Sequence, residues 1–357
     1  MRNVSLPSVC PVSLASFVSL VSLVSFVTLV CASEASAQAT DGVGVRAQGM
    51  AGAFTAVADD ATATWWNPAG LAGGAFANAV FEIGTHSEPR SERDANGIAV
   101  PASRVDARSF SAAFPALGLS YYRLRVSEIQ PQTSTGTPAG VRQDQGTADV
   151  REQSLALSQF GATFGQSLGD HFVVGSTVKL VHGTLGSSVQ PGSLASLDQA
   201  AGLDGSGETH AGLDMGAMAS FGRTRFGLTV RNVKELEFGS GVDAVTLRRT
   251  ARAGAAITTG SRGVIGSATV AVDADLTTTP TATGDERKLA VGAEAWTPKK
   301  NLGIRGGVST NTIGARRTSL SGGVSAMLRA RTYVDAEATG GTTEGQHGWS
   351  LALRVTF

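Results

Sequence analysis

Five histidines, His86, His171, His182, His210 and His347, are the residues best suited to acid–base or metal chemistry, and their spacing serves neither. The sequence holds no His-Glu-x-x-His, no histidine pair at ligand spacing and no Gly-x-Ser-x-Gly nucleophile turn. Gly42-Val43-Gly44 lacks the third glycine of a dinucleotide fingerprint. The stretch from Leu203 to Glu208 carries too few carboxylates for a calcium loop. Both cysteines, Cys10 and Cys31, fall within the first 31 residues, so the remainder has no thiolate nucleophile or thiolate metal site. The expectation is a non-enzyme without cofactor or metal. Lys plus Arg and Asp plus Glu both number 29, and a net charge of zero gives nucleic acid no electrostatic footprint.

The charges that recur follow another logic. Arg231, Arg252, Asp273, Asp275, Glu294, Arg305, Arg317, Asp335 and Glu337 each sit in a short run where residues alternate in polarity, on the face opposite Val, Leu, Ala and Phe. The last run is the clearest: Trp349, Leu351, Leu353, Val355 and Phe357 alternate with Ser350, Ala352, Arg354 and Thr356. Such period-two patterning predicts half-buried strands. Fourteen are expected, from 76–86 and 106–114 through 208–221 and 299–310 to 345–357. Connections alternate between short (Pro115-Ala116, Ser167 to Asp170, Phe221 to Thr224) and long (127–148, 185–207, 234–246). A soluble sandwich has no reason to keep that order, whereas an outer-membrane barrel does. An apolar band about 25 Å tall, crossed at about 40° with about 3.3 Å rise per residue, needs about 10 residues per strand, as these runs supply. The fold class expected is all-β, a 14-stranded antiparallel transmembrane barrel with apolar residues outward and charges in the lumen. An even strand count puts both termini on one side, the side of the short turns. The lumen charges have two readings, ion pairing that holds the interior together or arginines that receive an anionic head group. Alternation slips at Tyr121-Tyr122 and between Leu157 and Phe160, where bulges or interface residues are expected.

Ahead of the strands, Arg2, the apolar run from Leu14 to Val30 and Ala35-Ser36-Ala37-Gln38-Ala39 have the layout of a secretory signal peptide cleaved after Ala39 or Ala37. A lipoprotein signal at Cys31 and an uncleaved anchor are the competing readings. The domains expected are a signal peptide over 1–39, a hatch over 40–75 and the barrel over 76–357. Fourteen strands enclose more space than side chains alone fill, so residues 40–75 are expected to plug the lumen. Asp60 is placed to cap a short helix running through Trp65, and Asn67-Pro68 to cap another. Trp65 and Trp66 either pack the hatch against the wall or line a ligand path.

The stretch from Gly44 to Ala72 contains Gly52-Ala53-Phe54-Thr55-Ala56-Val57-Ala58-Asp59-Asp60-Ala61 and Trp66-Asn67-Pro68-Ala69-Gly70-Leu71. It resembles the N-terminal signature of the FadL/TodX outer-membrane transport superfamily, especially its short-looped PorV/PorQ-like branch. The resemblance implies a barrel in the outer membrane of a Gram-negative-type bacterium, surrounded by outer-membrane lipid. It also implies a hatch, with Phe54, Asp59, Asp60, Trp65, Trp66, Asn67 and Pro68 on the ligand path, and passive uptake of a hydrophobic or amphipathic, fatty-acid-like small molecule. The alternative it implies is a PorV-like accessory barrel that handles an exported protein. Phe357 matches the terminal aromatic that the barrel assembly machinery reads.

Overall fold

Alternation along the chain resolves into a wall that closes on itself in the computed structural model, which describes residues 42–73, 77–89, 91–94, 97–131, 149–261 and 263–357. The expected signal peptide lies outside these residues, as do Phe76 and most of the 127–148 connection. The strands are β1 (Asn78–Glu88), β2 (Ala102–Phe114), β3 (Leu117–Pro131), β4 (Asp149–Leu168), β5 (Phe172–Pro191), β6 (Ser206–Phe221), β7 (Thr224–Arg231), β8 (Leu236–Phe238), β9 (Val245–Leu247), β10 (Thr250–Thr259), β11 (Ser267–Asp275), β12 (Lys288–Trp296), β13 (Leu302–Asn311), β14 (Thr318–Arg329), β15 (Thr332–Gly341) and β16 (His347–Thr356). Fourteen of them form one closed antiparallel barrel, and β8 with β9 makes a separate hairpin. Closure is by β1 against β16, in register from Asn78 opposite Thr356 to Ser87 opposite His347.

Side-chain phase follows the pattern in the sequence. Phe81, Phe110, Phe160, Leu180, Met215, Phe226, Val270, Ile304, Val324 and Leu351 are exposed on the outside, while Lys179, Asp214, Asp273, Glu294, Arg305, Asp335 and Glu337 are buried inside. Phe114, Phe164, Phe172, Phe221 and Phe357 ring the short-turn end, the aromatic girdle of a membrane interface. Both barrel-terminal strand ends lie at that same end. Five turns there, each reversing the chain within a few residues, use one left-handed residue apiece: Ala116, Gly169, Gly222, Lys300 and Arg331.

Three sequence expectations change. No bulge occurs at Tyr121-Tyr122 or at Leu157–Phe160, because β2–β3, β3–β4 and β4–β5 pair without a register break. Tyr122 and Leu157 are simply apolar lumen residues, buried against the interior. The expected loop 234–246 contains the β8–β9 hairpin, whose Leu236, Phe238, Val245 and Leu247 are buried. It folds onto the inside of the wall, where a Cβ on Gly183 would come within 2.4 Å of the Phe238 ring. The outer face is not free of charge either: Arg108, Arg123 and Arg125 are exposed on it.

Candidate functional site inside the barrel

Residues 42–73 occupy the lumen as short turns, since a confined segment must satisfy its own backbone or borrow partners from the wall. Val45–Gly49 is one turn of helix, Ala63–Trp66 another, and Pro68–Gly73 a 3-10 helix. The wall supplies the missing acceptors. Glu82 on β1 accepts from the Gly44 and Val45 amides at 3.1 and 2.9 Å, and Asp273 on β11 from the Phe54 and Thr55 amides at 3.0 and 2.8 Å. Asn78 takes the Ala61 amide at 2.9 Å.

The close fit explains where many glycines fall. On the inward phase of the wall, a Cβ would lie 2.4 Å from the Pro68 carbonyl carbon at Gly175, 2.4 Å from the Thr55 oxygen at Gly227 and 2.5 Å from the Met50 oxygen at Gly292. At these positions any side chain would push the segment away.

One residue that the sequence reading passed over ties segment to wall. The Arg46 guanidinium donates to both oxygens of Glu294 at 3.1 and 2.7 Å, and to Asp59 and Asp60 at 2.7 and 2.8 Å. Burial works against its charge, but the carboxylates of Asp59, Glu294 and Asp60 more than offset that and hold it protonated well above the ordinary arginine range. Charges of alternating sign continue along the wall from Glu294 to Arg305 at 3.3 Å, then to Asp335 at 3.7 Å, and from Asp335 to Arg354 at 2.9 Å. Ser325 bridges Arg305 and Asp335. Glu337 accepts from Ser350 at 2.7 Å and pairs with His86 at 2.9 Å.

The remaining expected residues take definite places. Asp60 does not cap the helix that runs through Trp65: the N-cap is Thr62, which makes no side-chain capping bond. Asp60 instead accepts from the Thr62 amide at 2.9 Å through one oxygen and pairs with Arg46 at 2.8 Å through the other. Asn67 caps the following turn through the Ala69 amide at 3.1 Å and anchors to Thr55 and Ala217 carbonyls at 2.9 and 3.2 Å. Trp65 packs edge-on against Tyr122 at 4.9 Å, under the Arg231 guanidinium 3.5 Å from the indole centroid. Trp66 contacts Phe54 edge-on at 6.2 Å and faces Arg252 at 5.4 Å. Arg252 pairs with Asp275 at 2.6 Å, and Arg317 with Glu88 at 2.6 Å. Lys179, buried with Asp214 at 2.7 Å, adds a further lumen pair. Among the nine expected lumen charges, Glu294, Arg305 and Asp335 join one network, whereas Arg231, Arg252 and Asp275 gather with the two indoles.

Those last groups line a cavity. Trp65, Trp66, Arg231, Arg252, Asp275, Thr229 and Glu286 enclose about 30 Å³ on the side of the segment away from the short turns. That holds about a water's worth of space, far below the 300–1,000 Å³ or so of a small-molecule pocket. Its lining pairs aromatic faces with charged groups, which suits a molecule that is apolar along its length and polar at one end.

These features define a class: a 14-stranded β-barrel of the outer-membrane type with an occupied lumen. Solved structures share its fold. The "CymD monoaromatic hydrocarbon channel" is 15% identical with a TM-score of 0.59, the match covering 90% of this chain and 99% of that one. The Ralstonia pickettii toluene transporter TbuX is 15% identical with a TM-score of 0.57, covering 89% and 99%. The P. putida toluene transporter TodX is 15% identical with a TM-score of 0.54, covering 89% and 99%. The barrel therefore has the FadL/TodX fold, in agreement with the resemblance carried by residues 44–72. A family model described as "F plasmid transfer operon, TraF, protein" matches residues 64–275, more than half of the sequence, and the chain belongs to that family. No curated protein matches the chain in sequence.

Proposed function

We propose that the protein is an outer-membrane channel for hydrophobic or amphipathic small molecules, with residues 42–73 as the hatch that gates it. The observation that carries this reading is the amphipathic cavity above a lumen segment held by ion pairs, on a fold shared with hydrocarbon channels. A ligand entering from the long-loop side meets the Trp65 and Trp66 faces with its apolar part and the Arg231 and Arg252 guanidinium groups with its polar end. Because only about 30 Å³ is open there, passage requires the hatch to shift, either downward or aside for lateral exit. Release of the Arg46 contacts is the step that permits it. Uptake of a labelled fatty acid by cells with and without the protein tests this reading, and equal uptake overturns it.

The family description favours a second reading, in which the barrel serves an export or transfer assembly and moves no small molecule. In that case the hatch is a permanent plug, and cells lacking the protein lose an exported product while fatty-acid uptake is unchanged.

A further inference from the structure

The outer wall at β2 and β3 departs from the rule that the lipid face is apolar. Arg108 and Arg123 are directly opposite each other in the β2–β3 register and both are exposed. Like charges directly opposite are unfavourable, and among the described residues neither guanidinium has a hydrogen-bond or ion-pair partner. Their neighbours are otherwise engaged. Arg104 binds Asp198 at 2.7 Å and the Leu197 carbonyl at 3.1 Å, and Arg125 donates to the Ala201 carbonyl at 2.7 Å. Those partners belong to a short helix, Leu197–Ala201, which lies over the outer side of the wall and closes the patch from the long-loop end.

Depth decides what can meet the two free arginines. Each lies six residues from the short turn between Phe114 and Leu117, which at about 3.3 Å per residue and about 40° of tilt is roughly 15 Å into an apolar band about 25 Å tall. In the same row, Ile83 pairs with Arg108 and Leu351 with Ile83. One row further up, Trp349, Thr85, Asp106 and Arg125 lie side by side, with an exposed indole where an interface girdle belongs. One row down are Phe81, Phe110 and Tyr121, all exposed. At that depth, in the outer-leaflet half of the band, a long arginine side chain can reach the head-group level. Between these rows runs a surface groove of about 610 Å³, walled on its apolar side by Phe81, Ile83 and Trp349 and on its charged side by Arg108, Arg123, Arg125 and Asp106.

We propose that this groove is a binding site for a phosphorylated lipid of the outer leaflet. The Arg108 and Arg123 guanidinium groups take its phosphate, and an acyl chain lies against Phe81 and Ile83. Two planar donor forks match a phosphate oxygen set, and the anion supplies a counter-charge to Arg108 and Arg123, since the nearby Asp106 carboxylate is paired with Arg104 at 3.5 Å. The inference rests on the membrane-barrel reading but not on transport, because the groove is on the opposite side of the wall from the lumen.

The test uses purified full-length barrel in a zwitterionic detergent, with a diphosphorylated lipid A, its dephosphorylated counterpart or inorganic phosphate added at equal concentration. The readouts are lipid phosphorus retained per barrel and the temperature of barrel unfolding by heat modifiability. The diphosphorylated lipid should be retained near one per barrel and raise the unfolding temperature by several degrees, with the dephosphorylated lipid and inorganic phosphate without effect. Arg108→Gln with Arg123→Gln should lose retention at least tenfold, while Arg108→Lys with Arg123→Lys keeps most of it. Both variants leave the lumen untouched, so unchanged fatty-acid uptake separates this proposal from the channel reading. Equal action of inorganic phosphate overturns the lipid assignment, as does equal retention by the glutamine variant. Absence of lipid retention with capture of an acidic protein segment instead also overturns it.

Discussion

Replacing Arg46 by glutamine is the sharpest perturbation of the hatch proposed for residues 42–73. The wild-type guanidinium makes four charge-assisted bonds of 2.7 to 3.1 Å to three carboxylates. Glutamine is two atoms shorter and cannot supply the charge. Glu294 then retains Arg305 at 3.3 Å and Asp60 retains the Thr62 amide, while Asp59, 37% exposed, rehydrates at little cost. Removing one partner of a buried pair costs about 3–5 kcal/mol, and the surviving contacts argue for the lower end. At about 1.4 kcal/mol per tenfold, some 3 kcal/mol raises the displaced-hatch population by about two powers of ten. In planar bilayers the variant should show frequent open events that the wild type rarely shows, and Arg46→Lys, which keeps the charge but not the fork, should fall between. Unchanged conductance from a barrel that remains heat-modifiable would refute the assignment of Arg46 as the hatch anchor.

Gly292→Ala would drive a methyl to 2.5 Å from the Met50 oxygen, an overpacking cost of about 1–3 kcal/mol, and should increase protease cleavage within 42–73; Gly306→Ala, with its nearest neighbour at 3.6 Å, should not. Deleting Phe357, which is 64% exposed, removes about 1–3 kcal/mol of burial at most, so the shortened chain should refold in detergent yet fail to accumulate in the outer membrane; normal membrane levels would remove its role as an assembly signal. With the short turns periplasmic, a cysteine at Leu194, 60% exposed, should react with an impermeant thiol reagent on whole cells, and one at Lys299 should not. Gly192, in the same loop, is buried and should label poorly.

The wall was legible because membrane strands obey a two-residue rule from end to end: the run expected at 208–221 is Ser206–Phe221, and that at 299–310 is Leu302–Asn311. The tyrosine pair misled because Tyr122 is apolar on the lumen side, where only its partners Trp65 and Thr64 account for it. The β8–β9 hairpin carries its own alternation, Leu236 and Phe238 against Val245 and Leu247, but three-residue strands are too short for a period to stand out. Arg46 lies 248 residues from Glu294, and no local pattern joins them. Glycine abundance was visible, yet its meaning as a set of contact seats emerges only once the lumen segment is in place. Arg108 and Arg123 were within reach, since Phe110 and Tyr121 fix the outward phase of their strands.

Gating by the hatch is tested most directly by locking it. Beyond Cys31 the sequence has no cysteine, so a pair placed at Gly42 and Ala107 would be free to join, their Cβ atoms 3.5 Å apart once the Val105 methyl turns aside, within disulfide reach. This bond would fix the Gly42 end of the lumen segment to β2 while β1 fixes the other. Uptake of a labelled fatty acid by cells carrying this variant should fall to the level of cells without the protein when the disulfide is closed, and recover on reduction. Uptake that is the same in the oxidised and reduced states, with the crosslink verified by mass spectrometry, would contradict gating by residues 42–73.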